Sequence, residues 1–189
     1  MKNVLTLALF LLAACSTAPA AYQPQPYSYG APLTISALQV KVTDNFSTPL
    51  KLPHIEQDFP VLPSTVLKHW ADQRLKASGN GGVMEVSINE ASAVAVPLAK
   101  TKGVEGFFTD DQDTRYNLTL KVNFRIYSGT SGLSDASGDV TVTRSRTINE
   151  KATVYDRQKL FDEMLHEAMA SFDREAELRL RQYFSGFMK

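Results

Sequence analysis

The chain has 189 residues, 43% hydrophobic and 21% charged, with 20 basic residues against 20 acidic ones. That length is a prior for one domain, and the composition excludes a disordered or fibrous chain. Zero formal charge excludes the basic footprint of a nucleic-acid binder, and the single cysteine excludes a disulfide framework or a thiolate metal cluster.

The amino terminus carries the sharpest pattern. Lys2 supplies a positive start, and Val4 to Leu12 is a run of nine residues that is apolar but for Thr6. A membrane-spanning helix takes about 20, so the run suits the core of a secretion signal over residues 1–14. Leu12-Ala13-Ala14-Cys15 follows and resembles the lipobox of bacterial lipoproteins, with small residues before a thiol that takes lipid after cleavage. The resemblance implies fatty acylation of Cys15, palmitate included. Ser16, where inner-membrane members tend to have Asp, implies sorting to the outer membrane with the body in the periplasm. Without Lys2 the mature chain has 19 basic and 20 acidic residues.

From Cys15 to residue 33 the chain is expected to be a lipidated tether. Ser16 to Pro32 is uncharged and rich in proline and tyrosine, a composition of extended and polyproline character. At roughly 3 Å per residue it reaches about 50 Å. Tyr22, Tyr27 and Tyr29 are read as linker residues.

Residues 34–189 form a single α+β body in the order β-α-β-β-β-α. Leu38, Val40 and Val42 alternate with polar residues, as in a half-buried strand. After a proline-broken stretch, Thr65 to Ser78 has helical spacing of Val66, Leu67, Trp70, Ala71 and Leu75. Ser64 is its expected N-cap and Gly79 its stop. Met84, Val86, Ile88, Val94, Val96 and Leu98 share one parity, with Glu90 and Ser92 between them, a pattern that calls for a bulge.

The third strand alternates cleanly from Tyr116 to Ile126, and Asp139 to Ile148 is the fourth. The closing helix runs from Val154 to Ser185, with a capping-box spacing at Thr153 and Asp156 and a stripe through Phe161, Leu165, Ala168, Phe172, Ala176 and Leu180. Four strands in a mostly antiparallel sheet, with both helices on one face, is the simplest assembly. It leaves Lys121 and Arg125 on the open face, where a partner can reach them.

No catalytic, metal or cofactor pattern emerges. His166-Glu167 opens like a zinc-protease helix but has Ala at 170, and Glu163 with His166 makes one half of a di-iron pattern. His54 and His69 have no spaced companion and are read as surface residues. Asp110, Asp111 and Asp113 lack the glycine and closing glutamate of a calcium loop. Gly79 to Gly82 follows a helix and so is no phosphate loop. The adjacent Phe107 and Phe108 are the feature that points outward. Alternation buries at most one of them, so their loop is a candidate partner contact.

The runs RYNLTLKVNFRI and VTVTRSRTI, followed by a long final helix, resemble the LptE-like lipopolysaccharide-assembly lipoproteins over residues 34 to 185. STAPAAY after Cys15 departs from the glycine-aromatic start usual there. The resemblance implies a non-enzymatic envelope lipoprotein that binds an assembly protein or a glycolipid. The alternative is an auxiliary lipoprotein of lipid transport that holds an apolar ligand. A deep apolar cavity between sheet and helices would mark the second, and a solid core under a flat polar face the first.

Overall fold

A computed structural model describes residues 21–98, 112–129, 133–149 and 151–189. It is a mixed α+β structure. Strand β1 is Leu33–Asp44, helix α1 Pro63–Arg74, β2 Leu75–Pro97, β3 Gln112–Tyr127, β4 Ala136–Asn149 and helix α2 Val154–Tyr183. The strands lie in the order β1-β2-β3-β4, with β1 parallel to β2 and the other pairs antiparallel. Joining two parallel neighbours requires a crossover, and α1 is that crossover.

Alternation in β3 explains the sheet. Tyr116, Leu118, Leu120, Val122, Phe124 and Ile126 are buried, whereas Arg115, Lys121 and Arg125 are exposed. Trp70 of α1 meets Phe124 at 6.1 Å and Phe172 of α2 at 4.9 Å, so both helices cover the same face. Edge-to-face rings of this kind add to their area burial. A polar staple ties the helices together. Trp70 Nε1–H donates to Asp173 Oδ1 at 2.8 Å, and buried Arg74 reaches the same oxygen at 2.7 Å and Glu177 at 2.5 Å.

Several boundaries differ from expectation. Helix α1 stops at Arg74 rather than Ser78, because Leu75, Lys76 and Ala77 pair with Leu33, Thr34 and Ile35. Its N-cap is Leu62, with Pro63 in the first turn, and Ser64 lies inside the helix. Proline suits that place since its missing N–H has no helical partner to lose.

The glycine run is therefore not a helix stop but a bend within β2. Gly79 and Gly81 have φ of +81° and +90°, and the register jumps from Ile35–Ala77 to Ala37–Gly82. Divided at this bend, β2 makes two strands and the curled sheet five, one more than expected. Gly82 has no alternative: a Cβ there would lie 1.5 Å from the Tyr127 carbonyl oxygen.

The bulge expected near Glu90 is present, between Ile88 and Glu90 in the pairing with β3. It also inverts the parity beyond it. Ala91 and Ala93 are buried, while Val94 and Val96 are half-exposed. In α2, Thr153 and Asp156 form the full capping box, and the hydrogen bonds from Thr153 hold the Asp156 carboxyl below its ordinary range. The helix ends at Tyr183, and Ser185–Phe187 makes a short 3-10 turn.

Both edges of the sheet are managed. Lys189 N–H bonds the Thr34 carbonyl at 3.0 Å and Met188 bridges Ile35, covering the start of β1. On β4, Arg144 and Arg146 fold back onto the Thr143 and Ser145 carbonyls and then reach Ser171 and Glu167 of α2. Charged residues on an outer strand deter further pairing.

Candidate functional site

The open face of the sheet is polar because the strands keep one parity across it. Lys41, Glu85, Arg125 and Ser137 stand in one row, and Glu90, Lys121 and Thr141 in another. Asn123 donates to Asp139 at 2.9 Å, and Lys41 approaches Glu85 at 3.9 Å. The two predicted cations thus face carboxylates across the ladder, pairs that stabilise a sheet by about 0.2–1 kcal/mol each. Both stay exposed.

The second feature is a strap. Residues 21–32, expected as free tether, lie against the helices, so the linker reading fails for this half of the segment. The Tyr22 hydroxyl donates to Asp162 Oδ2 at 2.7 Å, and the Gln25 N–H donates to the same oxygen at 3.1 Å. Tyr27 stacks on His166 with centroids 4.0 Å apart, and Tyr27 and Tyr29 both pack against the core. Gly30 crosses so near Arg74 that a Cβ would sit 3.1 Å from its guanidinium carbon. Burial, then the Asp162 carboxylate, pushes the Tyr22 hydroxyl up to about 12, and burial raises Tyr27 and Tyr29 further.

The third is a groove of about 670 Å³ at one end of the sheet, between the 52–60 loop and the first turns of α2. Ile55, Phe59, Tyr116 and Phe161 line it, with Leu52 and Val154. Phe59 stacks on Phe161 at 4.7 Å, and Tyr116 meets the same ring edge-on at 4.9 Å. The loop is pinned to β2 by buried Glu56, whose Oε1 accepts the Ala93 N–H at 2.9 Å and contacts His54 Nδ1 at 2.9 Å.

Cys15, Phe107, Phe108, Asp110 and Asp111 lie outside the described residues. Pro97 and Thr114, which flank the phenylalanine loop, are paired with each other, and Thr114 lines the end groove. His69 is exposed, as read from the sequence, whereas His54 is half-buried against Glu56 and His166, half of the incomplete metal pattern, is half-buried against Tyr27. No group of metal-ligating side chains forms among the described residues, and none of their helices is long and apolar enough to cross a membrane.

Sequence reasoning missed the strap, the Arg74 staple and the groove. Each depends on residues about a hundred positions apart, such as Arg74 with Asp173, separated by 99. A signal for the strap did exist: three tyrosines within eight residues of an uncharged segment are a large apolar load for a free linker.

No family model matches the chain, and no curated protein is found similar to it. Among solved structures, it resembles a minor lipoprotein of Acinetobacter baumannii at 16% identity, over 80% of this chain and 96% of that one, with a TM-score of 0.40. Lipoprotein B of Nitrosomonas europaea is 11% identical over 84% of this chain and 93% of that one, with a TM-score of 0.42. Rare lipoprotein B of Shewanella oneidensis is 15% identical over 74% and 98%, with a TM-score of 0.34. Likeness at this distance carries no argument about the role of the chain, which rests on its own residues.

Proposed function

We propose that the chain is a non-catalytic lipoprotein of the bacterial envelope. In this reading it is anchored through Cys15 in the outer membrane, faces the periplasm, and works by binding an envelope-assembly partner. Lipopolysaccharide assembly is the setting that the sequence resemblance implies. The observation that carries the binding role is a filled core beneath a polar face. Trp70, Leu118, Leu120, Phe124 and Phe172 fill the space between sheet and helices, each 0–1% exposed. An apolar-ligand carrier would need a cavity in that space, whereas the groove of about 670 Å³ opens at the end of the sheet and is lined by Gln57, Asp58, Arg157 and Gln158 as well as by apolar residues. The open face, by contrast, presents Lys121 and Arg125 on a rigid element, where a partner's acidic groups meet no competing backbone. The Phe107–Phe108 loop would extend the contact.

The test is capture of the acylated protein from crosslinked membranes, comparing the parent with the double substitution Lys121→Gln and Arg125→Gln. Loss of two interface charges should weaken the captured partner's binding by roughly tenfold, equivalent to about 1.4 kcal/mol. The melting transition should shift by no more than the small cross-strand energies allow. Unchanged capture by a folded double variant removes the sheet face from the proposal.

A further inference from the structure

We propose that the end of the body formed by the 50–60 loop and the start of α2 is a lipid-docking face, which lies on the bilayer that holds the anchor. This rests on the anchored reading of Cys15.

The face carries exposed apolar side chains. Leu50 is 80% exposed, Leu52 78%, Val154 73% and Tyr155 49%. Leu52 and Val154 line the same groove, with Gln57, Asp58, Arg157 and Gln158 between the apolar residues, and Tyr155 follows Val154 in the first turn of α2. Single exposed leucines are ordinary, whereas a contiguous apolar patch marks a surface that is covered in use. Lys51, between the two leucines, is exposed and long enough to bury its stem while its ammonium stays with the headgroups. Tyr155 has the amphipathic ring that favours the boundary of a bilayer.

The chain itself says what covers this patch. Tyr22, seven residues after Cys15 in the sequence, meets Tyr155 edge-on at 5.5 Å, at the rim of the patch. Seven residue steps separate Cys15 from Tyr22, a reach of at most about 25 Å at full extension. Exposed apolar residues elsewhere are Leu38, Leu62 and Leu133, each on a different segment, and the pair Leu178 and Tyr183 on the last turns of α2. The strap passes Asp173 at Gly30, His166 at Tyr27 and Tyr155 at Tyr22, so it runs toward the start of α2 and away from that pair. A lipid on Cys15 therefore holds the 50–60 end near the membrane and leaves the far end of α2 away from it. Covalent anchoring and a shallow apolar face are the two-signal combination that makes membrane attachment stable.

The test uses the full acylated protein in vesicles of phosphatidylethanolamine and phosphatidylglycerol. Cysteine replaces Leu52, Val154 or Leu178 in turn, and Cys15 is blocked by its lipid, so one environment-sensitive dye marks one position. Dyes at 52 and 154 should be quenched by lipids brominated along their acyl chains and lose quenching by aqueous iodide, while the dye at 178 shows the reverse. Equal iodide access at all three positions on vesicle-bound protein overturns the docking face and leaves the anchor standing. Shielding at 52 and 154 without quenching by brominated lipid also overturns it, since a second copy of the chain would then cover the patch. Failure of the protein to float with vesicles overturns the anchor and, with it, the face.

Discussion

Phe124 shows how far a single residue can be argued. It is 0% exposed, in ring contact with Trp70, and lies on the buried parity of the alternating strand β3. Truncation to Ala should cost about 3–5 kcal/mol, read as a lower unfolding midpoint in denaturant; a near-neutral change would contradict this packing. Glu177 makes a second case. Hydrogen bonds from Arg181 and Arg74 hold its carboxyl below its ordinary 4.5. Its stabilising contribution is therefore complete above that value and is lost as pH falls through the lower, folded one. The stability gap between the parent and Glu177→Gln should narrow from roughly pH 5 down to pH 2, measured by denaturant titration at each pH. A gap that widened in acid would reverse the sign argued here. Phe124 was legible in the sequence because alternation is local. Buried Arg74 was not, because a cation survives burial only beside partners that the fold supplies.

Among the elements, α2 and β3 were the most legible, since long periodic runs with caps leave little choice of conformation. The boundary between α1 and β2 was misplaced by pairing. Residues 75–78 continue a helical pattern, yet parallel partners in β1 draw residues 75–77 into the sheet. The bulge at Glu90 was visible as polar residues on an apolar parity, but the inversion beyond it was not, because periodicity cannot say how many residues a bulge absorbs. The outer strand β4 provides a test of edge protection. Arg144 and Arg146 occupy carbonyls that an added strand would need. Replacing both by Thr should leave the monomer folded but produce concentration-dependent association, seen by light scattering; a monodisperse variant would show that the arginines serve only the contact with α2.

For the whole molecule, the decisive experiment is at the anchor. Cys15→Ala should abolish labelling by fatty acid and leave an unprocessed precursor. Mature, membrane-bound protein from that variant would sink the lipoprotein reading, and with it the docking face. The strap changes how such an anchor acts on the body. A free tether would let the domain wander about 50 Å from the bilayer, whereas residues 22–30 are held on the helices and cannot contribute to that reach.

What the sequence determined by itself was whatever depends on neighbours along the chain: the apolar leader before Cys15, the α+β class, the alternating face of β3 and the capped closing helix. What the tertiary structure alone decided was whatever depends on distant partners. These are the parallel pairing of β1 with β2, the docking of the tyrosine strap on α2, the burial of Arg74 between helices, and the end groove. The physical reason is the same in each case. Periodicity and capping are set within a few residues, while a polar group's burial and a loop's resting place are set by which surfaces the whole chain brings together.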